Sequence, residues 1–144
     1  MRRSWVVDAS VAVKLFLPED LSKNAGELFK RGTDLRKRFF VPDFFYAECA
    51  NIFWKYVRRF GLPPDEARNS FQDLRNLSLL SVSTKDLLPA SLDLAIEFGT
   101  SAYDASYAAL SQELSFPLVT ADEKLIGKLK GSGTDIHWLG DLTA

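Results

Sequence analysis

Short apolar runs alternate with stretches of helical periodicity along this chain, and that alternation leaves few folds open. Residues 4–7, 39–41, 79–82, 117–120 and 135–139 each read as a strand of three to five residues bounded by turn or cap residues. Between them lie helical patterns. Val11, Val13, Leu15, Phe16 and Leu17 make a short helix before Pro18, and Leu21, Ala25, Leu28 and Phe29 recur at helical spacing over residues 19–31, with Gly32 as the stop. Pro42-Asp43 closes the second strand and offers a cap for a long helix to about Phe60, which carries Phe45, Ile52, Trp54, Tyr56 and Val57. Gly61-Leu62-Pro63-Pro64 breaks that helix, and residues 65–76, 85–98, 101–114 and 122–130 supply four more.

Consecutive parallel strands need crossovers of about a dozen residues or more, which these helices provide, whereas hairpins would need only tight turns. The expected fold is therefore α/β: a three-layer α/β/α sandwich with a central, mainly parallel sheet, formed as a single domain over residues 1–144. The chain is 47% hydrophobic and 26% charged, an ordinary globular balance, and no run approaches the roughly 18 apolar residues of a membrane span. Met1-Arg2-Arg3-Ser4 runs straight into the first strand without an apolar leader, and the single Cys49 excludes an internal disulfide, so a reducing cytoplasm is the expected setting.

Function is written in acids at element boundaries. Asp8 follows the first strand, Glu48 lies in the apolar helix after the second, Asp104 opens a helix rich in small residues, and Asp122 follows the fourth strand. In open α/β sheets ligands bind beyond the carboxyl ends of the strands, where acids far apart in sequence converge. Converging carboxylates repel, and hard divalent ions held by carboxylates, water and phosphate oxygens relieve that repulsion. A metal-dependent site acting on phosphates follows. Each acid alone also has a structural reading: Asp8 and Asp122 as helix caps, Asp104 as an acid at a positive helix end, and Glu48 on an exposed helix face. Asn51 shares the face of Glu48, Ser10 and Lys14 follow Asp8 closely, and Thr120 precedes Asp122.

Val6-Val7-Asp8-Ala9-Ser10 with Lys14, Glu48 with Asn51 and Trp54, Tyr103-Asp104-Ala105 with Tyr107, and Leu118-Val119-Thr120-Ala121-Asp122 together resemble the PIN domain nucleases, and among them the VapC-like toxins of prokaryotic toxin–antitoxin modules. The resemblance covers nearly the whole chain. It implies a Mg²⁺- or Mn²⁺-dependent endoribonuclease in which Asp8, Glu48, Asp104 and Asp122 are the catalytic and metal-binding acids. Ser10 and Thr120 are then supporting hydroxyls, with Lys14 and Asn51 toward substrate. It further implies an RNA substrate, a cognate small antitoxin and a homodimer, with helices 44–60 and 65–80 as partner surfaces.

Two other readings of the same residues are an RNA-processing nuclease outside a toxin module and a catalytically silent partner-binding module. An aspartyl-phosphate enzyme fits poorly, because the position two after Asp8 is Ser10 rather than a second aspartate. A net charge of −1 gives no global attraction for a polyanion, so Arg2-Arg3, Arg36-Lys37-Arg38 and Lys55 with Arg58 and Arg59 are either solvated runs or a basic rim around an acidic hole. His137 reads as a packed edge residue, and the aromatic cluster from Phe39 to Trp54 as packing before RNA stacking.

Overall fold

The computed structural model of the chain describes residues 4–18, 20–30 and 38–142. Arg2-Arg3, Arg36-Lys37, Gly32 and the expected helix start at Glu19 lie outside the described residues. Five strands form one sheet: β1 (Ser4–Val7), β2 (Arg38–Pro42), β3 (Leu79–Val82), β4 (Leu118–Thr120) and β5 (Ile136–Trp138). Their order is β3-β2-β1-β4-β5, and every pairing is parallel. The chain builds outward from β1 to β2 and β3, then returns to lay β4 on the other side of β1. That reversal makes β1–β4 the switch point of the sheet.

The helices are α1 (Ala9–Ala12), α2 (Ser22–Lys30), α3 (Phe45–Phe60), α4 (Pro64–Arg75), α5 (Thr84–Phe98), α6 (Ala102–Leu114) and α7 (Glu123–Lys128). They cover the sheet in the α/β/α arrangement expected. The helix expected over 11–17 is instead α1 with a 3-10 turn, Val13–Leu15, because Pro18 disfavours helical backbone in the residue before it. Gly61 and Gly99 end α3 and α5 in left-handed conformations, φ 70° and 68°, where a side chain would be strained.

Trp5, Val6 and Val7 of β1 are buried, as a central strand covered on both faces requires. Helix α6 packs across β1, β2 and β4, with α5 against it. It is buried continuously from Ala105 to Ser111, and its Ala105, Ala108 and Ala109 allow that close approach. Such packing fixes the N-terminal end of α6, and with it Asp104, relative to the ends of β1 and β4.

Asp43 corrects one expectation. The N-cap of α3 is Phe44, without a side-chain bond, while the Asp43 carboxylate accepts the Thr84 backbone N–H at 3.0 Å and the Thr84 hydroxyl, capping α5 across the sheet. The cause is register: the Asp43 N–H donates to the Val82 carbonyl at 2.8 Å, extending the β2–β3 pairing and bringing Asp43 beside the start of α5. These bonds stabilise the ionised carboxylate and hold the Asp43 acid below its usual range.

His137 lies on the edge strand β5, its ring 5.7 Å from that of Trp5 and bonded to Asp135 at 2.8 Å, which fits the packed-edge reading. Phe39, Phe45 and Phe53 belong to the core, whereas Trp54 is 56% exposed. Phe53 of α3 and Phe71 of α4 meet as a ring pair, while Trp54 and Phe60 of α3 stay exposed. A further exposed apolar row lies on α5, where Leu88, Leu92 and Ile96 recur every four residues.

Candidate active site

Asp8 is the best-held acid of the chain. It ends β1, is 6% exposed and caps α1 by accepting the Val11 N–H at 3.3 Å. Both its oxygens also accept hydroxyls, Oδ1 from Ser10 and Oδ2 from Thr120 at 2.5 Å. An ionised Asp8 can only accept, so each hydroxyl donates to it, while Ser10 Oγ receives the Ala121 N–H at 3.1 Å and Thr120 Oγ1 receives the Asp122 N–H at 3.0 Å. The loop after β4 is thereby tied to the end of β1.

Asp122 begins the next helix by accepting the Lys124 and Leu125 N–H groups at 2.9 and 3.3 Å. Asp8 and Asp122 are thus helix caps, as the structural reading had it, and both also face the same cleft. Asp104 sits in the first turn of α6, where Ser101 caps the helix by accepting the Asp104 N–H at 3.0 Å. Glu48, one turn into α3, is half-buried, and the Tyr107 phenol of α6 donates to its Oε1 at 2.7 Å. Tyr107 is itself 1% exposed, and its ring meets Phe44 edge-on at 5.5 Å.

All four acids line one cleft of about 400 Å³ at the switch point, together with Ser10, Asn51, Lys55 and Tyr107. Thr120 stands behind the wall, fully buried, and acts on the cleft through Asp8. Lys14 is on the 3-10 turn after α1 and does not line the cleft. Lys55 and Tyr107 are the additions to the expected set. Both were findable by spacing, since Lys55 is seven residues from Glu48 and Tyr107 three from Asp104, each on the same helix face as its acid.

Crowding of negative charge marks the cleft. Burial, against the lowering effect of the two hydroxyl bonds and with Glu48 adding repulsion, pushes the Asp8 carboxyl up from 3.8 to about 7. Burial likewise raises Glu48, offset by the Tyr107 bond and reinforced by the Asp104 charge, and it raises Asp104, reinforced by Asp122. Burial and the neighbouring carboxylates raise the Tyr107 phenol well above its ordinary value, keeping it a donor. A divalent cation would lower the free energy of every one of these carboxylates.

The donor set suits a hard ion. It consists of carboxylate oxygens, and the described residues offer one buried Cys49 and one edge His137 elsewhere, which is no zinc set. Among the described residues no three His, Cys, Asp or Glu side chains close into a full ligand shell. Mg²⁺-type ions need none, since they keep several waters and take one or two carboxylates plus substrate phosphates.

Comparison with known proteins finds a family and a fold. The PIN domain profile matches residues 5–129. Ribonuclease VapC3 of Pyrobaculum aerophilum is 34% identical over 125 residues, spanning 85% of this chain and 92% of that protein. Among solved structures, PAE2754 from Pyrobaculum aerophilum superposes with a TM-score of 0.67 at 23% identity, covering 99% of this chain and 95% of that one. A toxin–antitoxin complex from Klebsiella pneumoniae superposes with a TM-score of 0.62 at 15% identity, covering 92% and 94%. The two structural likenesses speak for the fold.

Proposed function

The chain belongs to the PIN domain family, and from that premise we propose that it is a metal-dependent endoribonuclease, the toxin of a VapBC-type module, with Asp8, Glu48, Asp104 and Asp122 as its catalytic acids. The observation that carries the proposal is the convergence of these four carboxylates on one cleft at the β1–β4 switch point. A relative that is 34% identical over 125 residues, VapC3 of Pyrobaculum aerophilum, is named a ribonuclease.

Mg²⁺ or Mn²⁺, when bound, lowers the pKa of water and neutralises charge on the scissile phosphate, so no nucleophilic side chain is required. Asp8 and Asp104 are assigned as the most direct ligands, with Glu48 and Asp122 holding a second ion or orienting the attacking water. Ser10 and Thr120 keep Asp8 oriented, and Tyr107 does the same for one oxygen of Glu48, leaving the other for the cleft. Asn51 offers an amide to a phosphate oxygen from the cleft wall. Lys14 is left to a contact outside the cleft.

The test is cleavage of a labelled structured RNA in Mg²⁺, Mn²⁺ or EDTA by the purified chain and by Asp104→Asn. Cutting that needs the ion and falls by about 10²-fold or more in the variant is the expected result. Cutting that survives in EDTA would remove the metal from the mechanism.

The proposal extends to partners. A small antitoxin is expected because a fold neighbour is a toxin–antitoxin complex. A homodimer is expected with α5 in its surface, because Leu88, Leu92 and Ile96 leave an apolar row exposed there. Light scattering on the purified chain should give twice the monomer mass, 16.2 kDa, and a monomer mass at all concentrations would count against it. No helix among the described residues is long and apolar enough to cross a membrane. The single buried Cys49 suits the cytoplasm proposed as its site of action.

A further inference from the structure

Helix α3 changes charge along one face. Glu48 and Asn51 lie at its inner end, Lys55 follows on the same cleft wall, and Arg58 and Arg59 occupy its last turn. At 100° per residue, Lys55 falls about 20° short of Glu48 and Arg59 about 20° beyond it, with Asn51 and Arg58 on one flank, so the series forms one row about 16 Å long. Asn51, Lys55, Arg58 and Arg59 are all exposed. Trp54, also exposed, stands one turn before Arg58 on the flank of the row.

We infer that this row is a track for the sugar–phosphate backbone of single-stranded RNA, leading the strand from the outer end of α3 into the acidic cleft. The inference rests on the ribonuclease reading and extends it to the path of the substrate. Without its ion a cleft holding four acids repels a polyanion, and an ion there serves only the phosphate it touches, so attraction for the rest of the strand comes from beside it, where the row begins. Arg58 and Arg59 also meet the negative end of the α3 dipole, which explains part of their placement. Lys55 lies away from that end of the dipole. It stands mid-helix on the wall of the cleft, near enough to Glu48 for its charge to favour that carboxylate. An exposed tryptophan beside a basic row suits a strand with unstacked bases better than a duplex, because the base can lie on the ring.

The salt dependence of RNA binding tests the track. Anisotropy of a fluorescein-labelled single-stranded RNA is measured in EDTA, which holds hydrolysis off, from about 50 to about 200 mM salt. Lys55→Gln is expected to weaken binding about fivefold and to lower the slope of log affinity against log salt by about 0.7, the loss of one phosphate contact. Adding Arg58→Gln and Arg59→Gln should lower the slope by about 2 in all, and Lys55→Arg should restore the wild-type slope. Lys23→Gln, on α2, is the control and should change neither quantity.

An unchanged slope in Lys55→Gln, or an equal loss in Lys23→Gln, would overturn the track. So would a triple variant that keeps RNA but releases an acidic protein partner, since the row would then be a protein-binding face. Wild-type protein that binds RNA through these residues yet cuts none would sink the ribonuclease reading and leave the track standing. Cleavage with a slope indifferent to all three positions would do the reverse, and no RNA binding by the wild type would overturn both.

Discussion

Asp8→Asn should abolish cleavage and, at pH 8 without divalent ions, raise the melting temperature of the protein. The two effects share one cause. Burial pushes the Asp8 carboxyl up from 3.8 to about 7, so the folded state holds this proton more tightly than the unfolded chain does. The associated stability is complete below pH 3.8 and is lost as pH rises through about 7, a difference of roughly 4 kcal/mol. Asparagine has no such titration. The variant and the wild type should therefore melt alike near pH 4, and the gap should open in favour of the variant toward pH 8. Adding Mg²⁺ should close the gap by stabilising the wild type alone, through its preference for the folded site. Calorimetric scans at pH 4, 6 and 8, with EDTA or Mg²⁺, read all of this. A variant less stable than the wild type at pH 8 in EDTA would show that the hydroxyl bonds outweigh burial.

Thr120→Val should do the opposite to stability while also harming activity. The shape of the buried side chain is kept, but Asp8 Oδ2 loses a donor and the Asp122 N–H loses its acceptor. Leaving such groups unpaired costs about 2 kcal/mol at pH 8, and loosening the support of a metal ligand costs about 10–100-fold in metal affinity or cleavage. Thr120→Ser retains the hydroxyl and should recover most of both. Urea unfolding and Mn²⁺ titration calorimetry on the three proteins measure the two losses separately. Val and wild type binding Mn²⁺ equally would remove Thr120 from the support of the site.

The strands were legible because each is a short apolar run bounded by turn or cap residues, and a central strand such as Trp5-Val6-Val7 has no polar alternation to confuse it with a helix face. The acids were legible because a carboxylate at a strand end, or inside a helix as apolar as that around Glu48, needs a reason. Strand order was not, since which strand lies beside β1 depends on how α5 and α6 carry the chain back across the sheet. Asp43 misled for the same reason: its partner Thr84 is 41 residues away and becomes a neighbour only once β2 and β3 pair. Lys14 looked close to Asp8 in sequence, but the 3-10 turn carries it off the cleft, while Lys55 arrives there from a separate helix.

The bond from Thr120 to Asp8 spans 112 residues, and β4 pairs with a strand made long before it. On a ribosome, Asp8 emerges before its Thr120 partner and waits for it without that bond. Before β4 docks, the hydroxyl and the fourth acid are missing and no cleft exists to bring the others together. The complete acidic cleft therefore arrives in one late step, and a chain cut short before β4 lacks both Thr120 and Asp122. A partly made copy thus carries its acids without the arrangement that lets them act together.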